Sequence, residues 1–255
     1  MSAFTIELPE PPEYELVLEA SPQATRGVRA AGDELPAMAL EALDKRLSIG
    51  GPVTRRIGPE STDDVELQRF LEDEGADHDF YLVRLDCTLR HEDDEPFASA
   101  LLALDLSARE DDASAPIAWS MDPIRLFDPV PVSRTISLSP SLKILGIGLD
   151  ATAEVGDKRE RKDVFVEALY ELESTPTWAM FRTGSTQLRG VQGFNFVVQA
   201  RKGTTTVGNV AASATVERKR FGLIAYQAVF PGQSERSFEI SPTTAETARL
   251  KGSSA

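Results

Sequence analysis

The sequence predicts a mainly β protein, an antiparallel β-sandwich or barrel with one or two short helices in its N-terminal region. Three observations predict this. Apolar residues recur with a period of two from residue 79 onward. The linkers between those runs are short and rich in glycine or charge, the spacing of a sandwich or barrel. Nowhere do strand and helix patterns alternate as the βαβ units of a parallel sheet require. The reading divides the chain into an acidic N-terminal arm with short helices over 1–78, an antiparallel β domain over 79–232 and a flexible polar tail over 233–255.

In chain order, Phe4 to Leu8 and Tyr14 to Glu19 read as edge strands or an extended arm, because Pro9, Pro11 and Pro12 between them remove backbone donors. From Ser21 to Ala76 the pattern turns irregular around two helical candidates, Pro36 to Leu47 and Thr62 to Asp73. The second is better marked: Ser61 or Thr62 can cap it, Asp63, Asp64 and Glu66 suit the positive end of its dipole, and Val65, Leu67, Phe70 and Leu71 form a partial apolar stripe.

Over Phe80 to His91, Tyr81, Val83, Leu85, Cys87 and Leu89 face one way and Arg84, Asp86, Thr88 and Arg90 the other, a half-buried strand. Phe97 to Ala108 repeats the pattern, and the short acidic link Glu92 to Pro96 suggests that the two are hairpin neighbours. Ile117 to Met121 follows, and Pro123, Pro129 and Pro131 make the next stretch a crossover. Further strands are expected near 132–138, 143–155, 163–173, 177–183, 193–201, 206–218 and 222–230. Over 163–173 both strand and helix patterns fit; clean alternation and β-branched residues favour strand. After Gly232 the tail is polar, with Phe238 to Ile240 as its one apolar contact.

Composition narrows the functional classes. The 255 residues are 41% apolar and 27% charged, and no apolar run approaches the roughly 18 residues of a membrane helix. The first 20 residues contain five glutamates and no basic or apolar leader, so a cytoplasmic location is expected. The single cysteine, Cys87, fits a reducing compartment, and 20 arginines against 7 lysines read as the GC-rich coding of a bacterial source. The net charge of -14 is unevenly placed: residues 1–112 carry 27 acidic and 10 basic side chains, residues 113–255 carry 14 and 17. Such a chain is not built for bulk polyanions, and nucleic-acid binding is not expected.

No motif carries a catalytic or cofactor assignment. Gly146-Ile147-Gly148-Leu149-Asp150-Ala151 matches a dinucleotide fingerprint, but the sequence after it leaves no room for the helix that would hold a pyrophosphate. His91 beside Glu92, Asp93, Asp94 and Glu95 suggests a weak cation loop, though a solvated acidic turn explains it equally well. His78 fits a strand entry, Cys87 a core position, and Trp119 and Trp178 large core residues.

Two features are less ordinary. If the later strands alternate in direction, the basic loop holding Lys158, Arg159, Arg161 and Lys162 shares one end of the sheet with Arg189 and with Arg218, Lys219 and Arg220. Such a patch could receive an acidic partner or the acidic half of this chain. Residues 203–217 alternate small polar and apolar side chains, which suits a pore-former's hairpin as well as an ordinary strand. The expectation is a noncatalytic interaction or assembly module, bound to a protein partner or to itself, without cofactor. The alternatives are an enzyme using Asp/Glu acid-base residues and a pore-forming β protein.

Overall fold

The computed structural model describes residues 4–5, 13–14, 46–92, 96–110, 113–128, 163–220, 224–229, 236–242 and 251–252. The elements are β1 (Phe4–Thr5), β2 (Glu13–Tyr14), β3 (Leu47–Ile57), a 3-10 turn (Pro59–Ser61), α1 (Val65–Glu74), β4 (His78–Leu89), β5 (Phe97–Ala108), β6 (Ile117–Asp122) and β7 (Arg125–Phe127). They continue with β8 (Val164–Leu169), β9 (Thr177–Phe181), β10 (Gly190–Arg201), β11 (Thr206–Arg220), β12 (Ile224–Val229), β13 (Arg236–Ile240) and β14 (Lys251–Gly252). Every pairing is antiparallel.

Two large sheets form a β-sandwich. One has the order β2-β3-β4-β10-β6; the other runs β12-β11-β5-β9-β8-β7, with β13 also on β11. β1 and β14 form a separate two-stranded ribbon. The period of two decides what lies between the sheets, since alternate side chains of a strand point to opposite faces. Tyr81, Val83, Leu85, Cys87 and Leu89 of β4, with Phe194, Phe196 and Val198 of β10, meet Leu102, Leu104 and Leu106 of β5, Trp178 and Met180 of β9, and Val210, Ala212 and Ala214 of β11. Trp178 is the largest fully buried side chain; its ring lies 5.0 Å from Phe194 and 5.8 Å from Phe196, and its indole N–H donates to the Pro123 carbonyl at 3.1 Å.

The outer face of the five-stranded sheet is covered in part by α1. The Asp64 side chain, and not Ser61 or Thr62, caps the helix by accepting from the Leu67 N–H at 2.9 Å. Leu67 and Leu71 pack on Ile57, Phe80, Leu82 and Val197, and Phe70 stacks on Trp119 with centroids 5.1 Å apart. This is why Phe80 and Leu82, on the polar side of the β4 alternation, are buried.

Several expectations are refined or corrected. The interval 21–76 contains β3, eleven residues paired along β4. Its Gly50-Gly51-Pro52 interruption is a bulge, where Gly51 takes φ +93° and a Cβ would come within 2.8 Å of the Arg84 carbonyl oxygen. Leu47, the end of the first helix candidate, begins this strand; residues 36–45 lie outside those described.

β4 and β5 are not hairpin neighbours. β4 pairs with β3 and β10, whereas β5 pairs with β11 and β9 in the opposite sheet. Both bury the same kind of face, so a connection that crosses the roughly 10 Å between sheets satisfies both. Beyond Gly232, β13 pairs with β11, and the Phe238 ring packs where Gly208 has no side chain. The alternation of 206–216 belongs to the core: Val210, Ala212, Ala214 and Val216 are all buried, so this apolar face is already used within the sandwich.

The interval 163–173 is a strand only as far as Leu169, paired with β7 and β9. The strands expected near 132–138 and 143–155, and the Gly146-to-Ala151 motif, lie outside the described residues.

Candidate functional site

The strand directions fix where the proposed basic residues fall. β4 ends at Leu89, opposite Gly190 at the start of β10, and β5 begins nearby at Phe97. Arg189 is exposed at this end of the sandwich. The backbone of Arg218, Lys219 and Arg220 reaches the same end, but within β11, in register with Tyr226, Ala225 and Ile224 of β12. Lys158, Arg159, Arg161 and Lys162 lie outside the described residues; Asp163, next in sequence, bonds through its carbonyl to the Asp128 N–H at 2.9 Å.

This end is not purely basic. Glu92 lies 3.9 Å from Arg46, and the Asp128 carboxylate accepts from the hydroxyls of Ser185, Thr186 and Thr183. Those hydrogen bonds hold the Asp128 carboxyl down at about 2. The loop 182–189 is thereby tied to the start of the crossover after β7.

At the opposite end, Asp79 is almost fully buried. It accepts from Arg56 at 2.7 Å and from the Gly203 N–H at 2.9 Å. The Tyr81 hydroxyl is buried without a partner, and burial, helped by the Asp79 charge, pushes its pKa up to about 12. A cleft of about 350 Å³ opens between α1 and the start of β4, lined by Arg56, Glu72, His78, Asp79 and Lys202 among others. Its cations are engaged: Arg56 by Asp79, Lys202 by the Gly75 carbonyl, while His78 Nδ1 lies 3.4 Å from Glu74. Cys87 is buried, and desolvation pushes its thiol up to about 12, far from the setting of a nucleophile. Among the described residues, no group of three or more His, Cys, Asp or Glu side chains is placed to hold a metal ion.

The most unusual geometry lies on a lateral side that the sequence did not single out. β6 is an edge of one sheet, and the turn 170–176 after β8 spans from it to β5 of the other sheet. Leu172 N–H donates to the Ala118 carbonyl at 2.9 Å, Ala118 N–H to Glu173 at 2.9 Å, and Met121 N–H to the Glu171 carboxylate at 3.2 Å. On the other side, Leu104 and Leu106 of β5 donate to the carbonyls of Pro176 and Ser174. The turn is therefore fastened to both sheets.

Within it, Tyr170 and Leu172 hold φ of 63° and 65°, the left-handed region that costs a bulky residue roughly 1–2 kcal/mol. Both side chains nevertheless point to solvent, 56% and 53% exposed. Ile124, whose carbonyl accepts from Ala168 N–H, is 55% exposed beside them, and Phe127 on β7 is 39% exposed. Three of the eight large apolar side chains exposed among the described residues, Ile124, Tyr170 and Leu172, lie together at the end of β8 and form a patch, whereas Phe127 lies opposite Val164 at the other end of that strand. Helical and strand periodicity carry no signal for a left-handed turn, so sequence reasoning had no means of locating it.

No protein-family model matches this chain, and no curated protein matches it. Among solved structures, Clostridium perfringens delta-toxin is similar over 80% of this chain and 86% of that one, at 10% sequence identity and a TM-score of 0.29. A likeness of that TM-score bears on neither the fold nor the activity of this chain.

Proposed function

We propose that this protein is a noncatalytic binding module that docks a protein partner through the side formed by Ile124, Tyr170 and Leu172. The observation that carries this reading is the exposed display of Tyr170 and Leu172 on a strained turn fastened to both sheets. A fold gains nothing from holding bulky apolar groups in water on left-handed backbone. Strain of this kind persists where the surrounding structure over-determines it and where the displayed side chain is used. Apolar and aromatic anchors on a preformed surface are also what protein interfaces draw most of their energy from.

The basic end serves the fold in this reading, with Glu92 placed against Arg46 and the 182–189 loop held by Asp128. The test is capture of partners by the tagged chain and by its Tyr170→Ser/Leu172→Ser variant. Loss of a stoichiometric partner from the variant alone supports the reading. Equal recovery by both proteins excludes this side as the docking surface.

A further inference from the structure

We infer that this side selects a protein partner that presents an apolar anchor flanked by basic side chains. The inference rests on the docking reading above and adds the chemistry of the occupant. The segments that build the side, 117–126 and 167–176, contain Asp122, Glu167, Glu171 and Glu173 against Arg125 alone. That excess is local, because residues 113–255 as a whole carry 14 acidic and 17 basic side chains. The one cation is already engaged, since Arg125 pairs with Glu167 across β7 and β8. Glu173 is exposed beside the apolar patch, and Asp122 and Glu171 are half-buried next to it, with the Glu171 carboxylate accepting from the Met121 N–H.

An apolar centre inside a carboxylate rim matches a partner of the inverse pattern, apolar inside and Lys or Arg outside. It also repels the anionic leaflet of a membrane and any polyanion. The chain's own net charge of -14 favours a basic protein over a second copy.

The test uses two synthetic peptides with the same Leu-Trp anchor, one flanked by lysines and one by glutamates. Binding to the intact chain is followed by fluorescence anisotropy at low and physiological salt. The lysine-flanked peptide is expected to bind about tenfold tighter than its acidic counterpart. That binding should be lost in Tyr170→Ser/Leu172→Ser and weakened in Glu173→Lys. Equal affinity for the two peptides, or binding of neither, overturns the inference. So does lysine-peptide binding that survives Tyr170→Ser/Leu172→Ser, because bulk charge would then explain it. Patch-dependent binding of phosphatidylcholine vesicles, or patch-dependent self-association of the chain, would assign the surface to another occupant and overturn it as well. If the native partner is still lost from the Tyr170→Ser/Leu172→Ser variant while neither peptide binds, the docking surface stands and only the charge inference falls.

Discussion

Trp178 shows how one residue sets the cost of change in this core. It fills the space between Phe194 and Phe196 from the facing sheet and gives its N–H to the Pro123 carbonyl. Trp178→Ala should destabilise the fold by about 3–5 kcal/mol through the cavity it leaves. Trp178→Phe should cost less, about 1–3 kcal/mol, because it removes the donor from a buried carbonyl; chemical denaturation measures both. Cys87 should react with a thiol reagent only in denaturant, since its buried thiol is pushed up to about 12. Rapid labelling of the native chain would contradict its placement.

Asp122 makes a pH-dependent prediction. Burial raises its carboxyl from 3.8 to about 6, so between those values the folded chain keeps a proton that the unfolded chain has released. Stability from this group falls as pH rises through that window and does not recover above it. Asp122→Asn should therefore raise Tm at pH 8 and change it little at pH 4, as thermal melts at the two pH values would show. The core position of Cys87 was legible from the period of two. The burial of Asp122 was not, because it depends on which strand edge and turn lie over it.

At the scale of elements, the sequence was clearest where one face of a strand was buried and the other wet. β5 runs over Phe97–Ala108, the interval its alternation predicts. β3 was missed because Gly50-Gly51-Pro52 breaks the alternation with a bulge, which a reading by period takes for a loop. The partners of β4 and β5 were misread because alternation tells which face is buried and not which sheet a strand joins.

Two elements invite direct tests. A Cβ on Gly208 would lie 2.3 Å from the Phe238 ring, so Gly208→Val should release β13 and cost about 1–3 kcal/mol. Phe238→Ala combined with Gly208→Val should recover part of that loss, because the clash is gone. Leu172→Gly relieves left-handed strain at an exposed position and should leave Tm unchanged or higher while abolishing partner binding. A lowered Tm with binding intact would make Leu172 a folding residue.

For the whole molecule, the sandwich class followed from composition and period, whereas the candidate site did not. The sequence pointed to basic loops because charge runs are visible in one dimension. Strand directions bring Arg189 and the 218–220 backbone to one end, but the acidic β4–β5 connection arrives there too, placing Glu92 near Arg46. The apolar side is assembled from β6, Ile124 just after it and the turn after β8, segments some forty residues apart that meet only in the fold.

The account therefore turns on whether that side touches a partner, and site-resolved photo-crosslinking tests this most directly. A photoreactive amino acid is placed singly at Tyr170, Leu172 and Val191. Val191 is the control, an apolar residue 55% exposed at the start of β10, at the end of that strand remote from the patch. Docking through this side predicts one identified adduct from positions 170 and 172 and none from 191. Adducts from Val191 alone, or equally from all three positions, would contradict it.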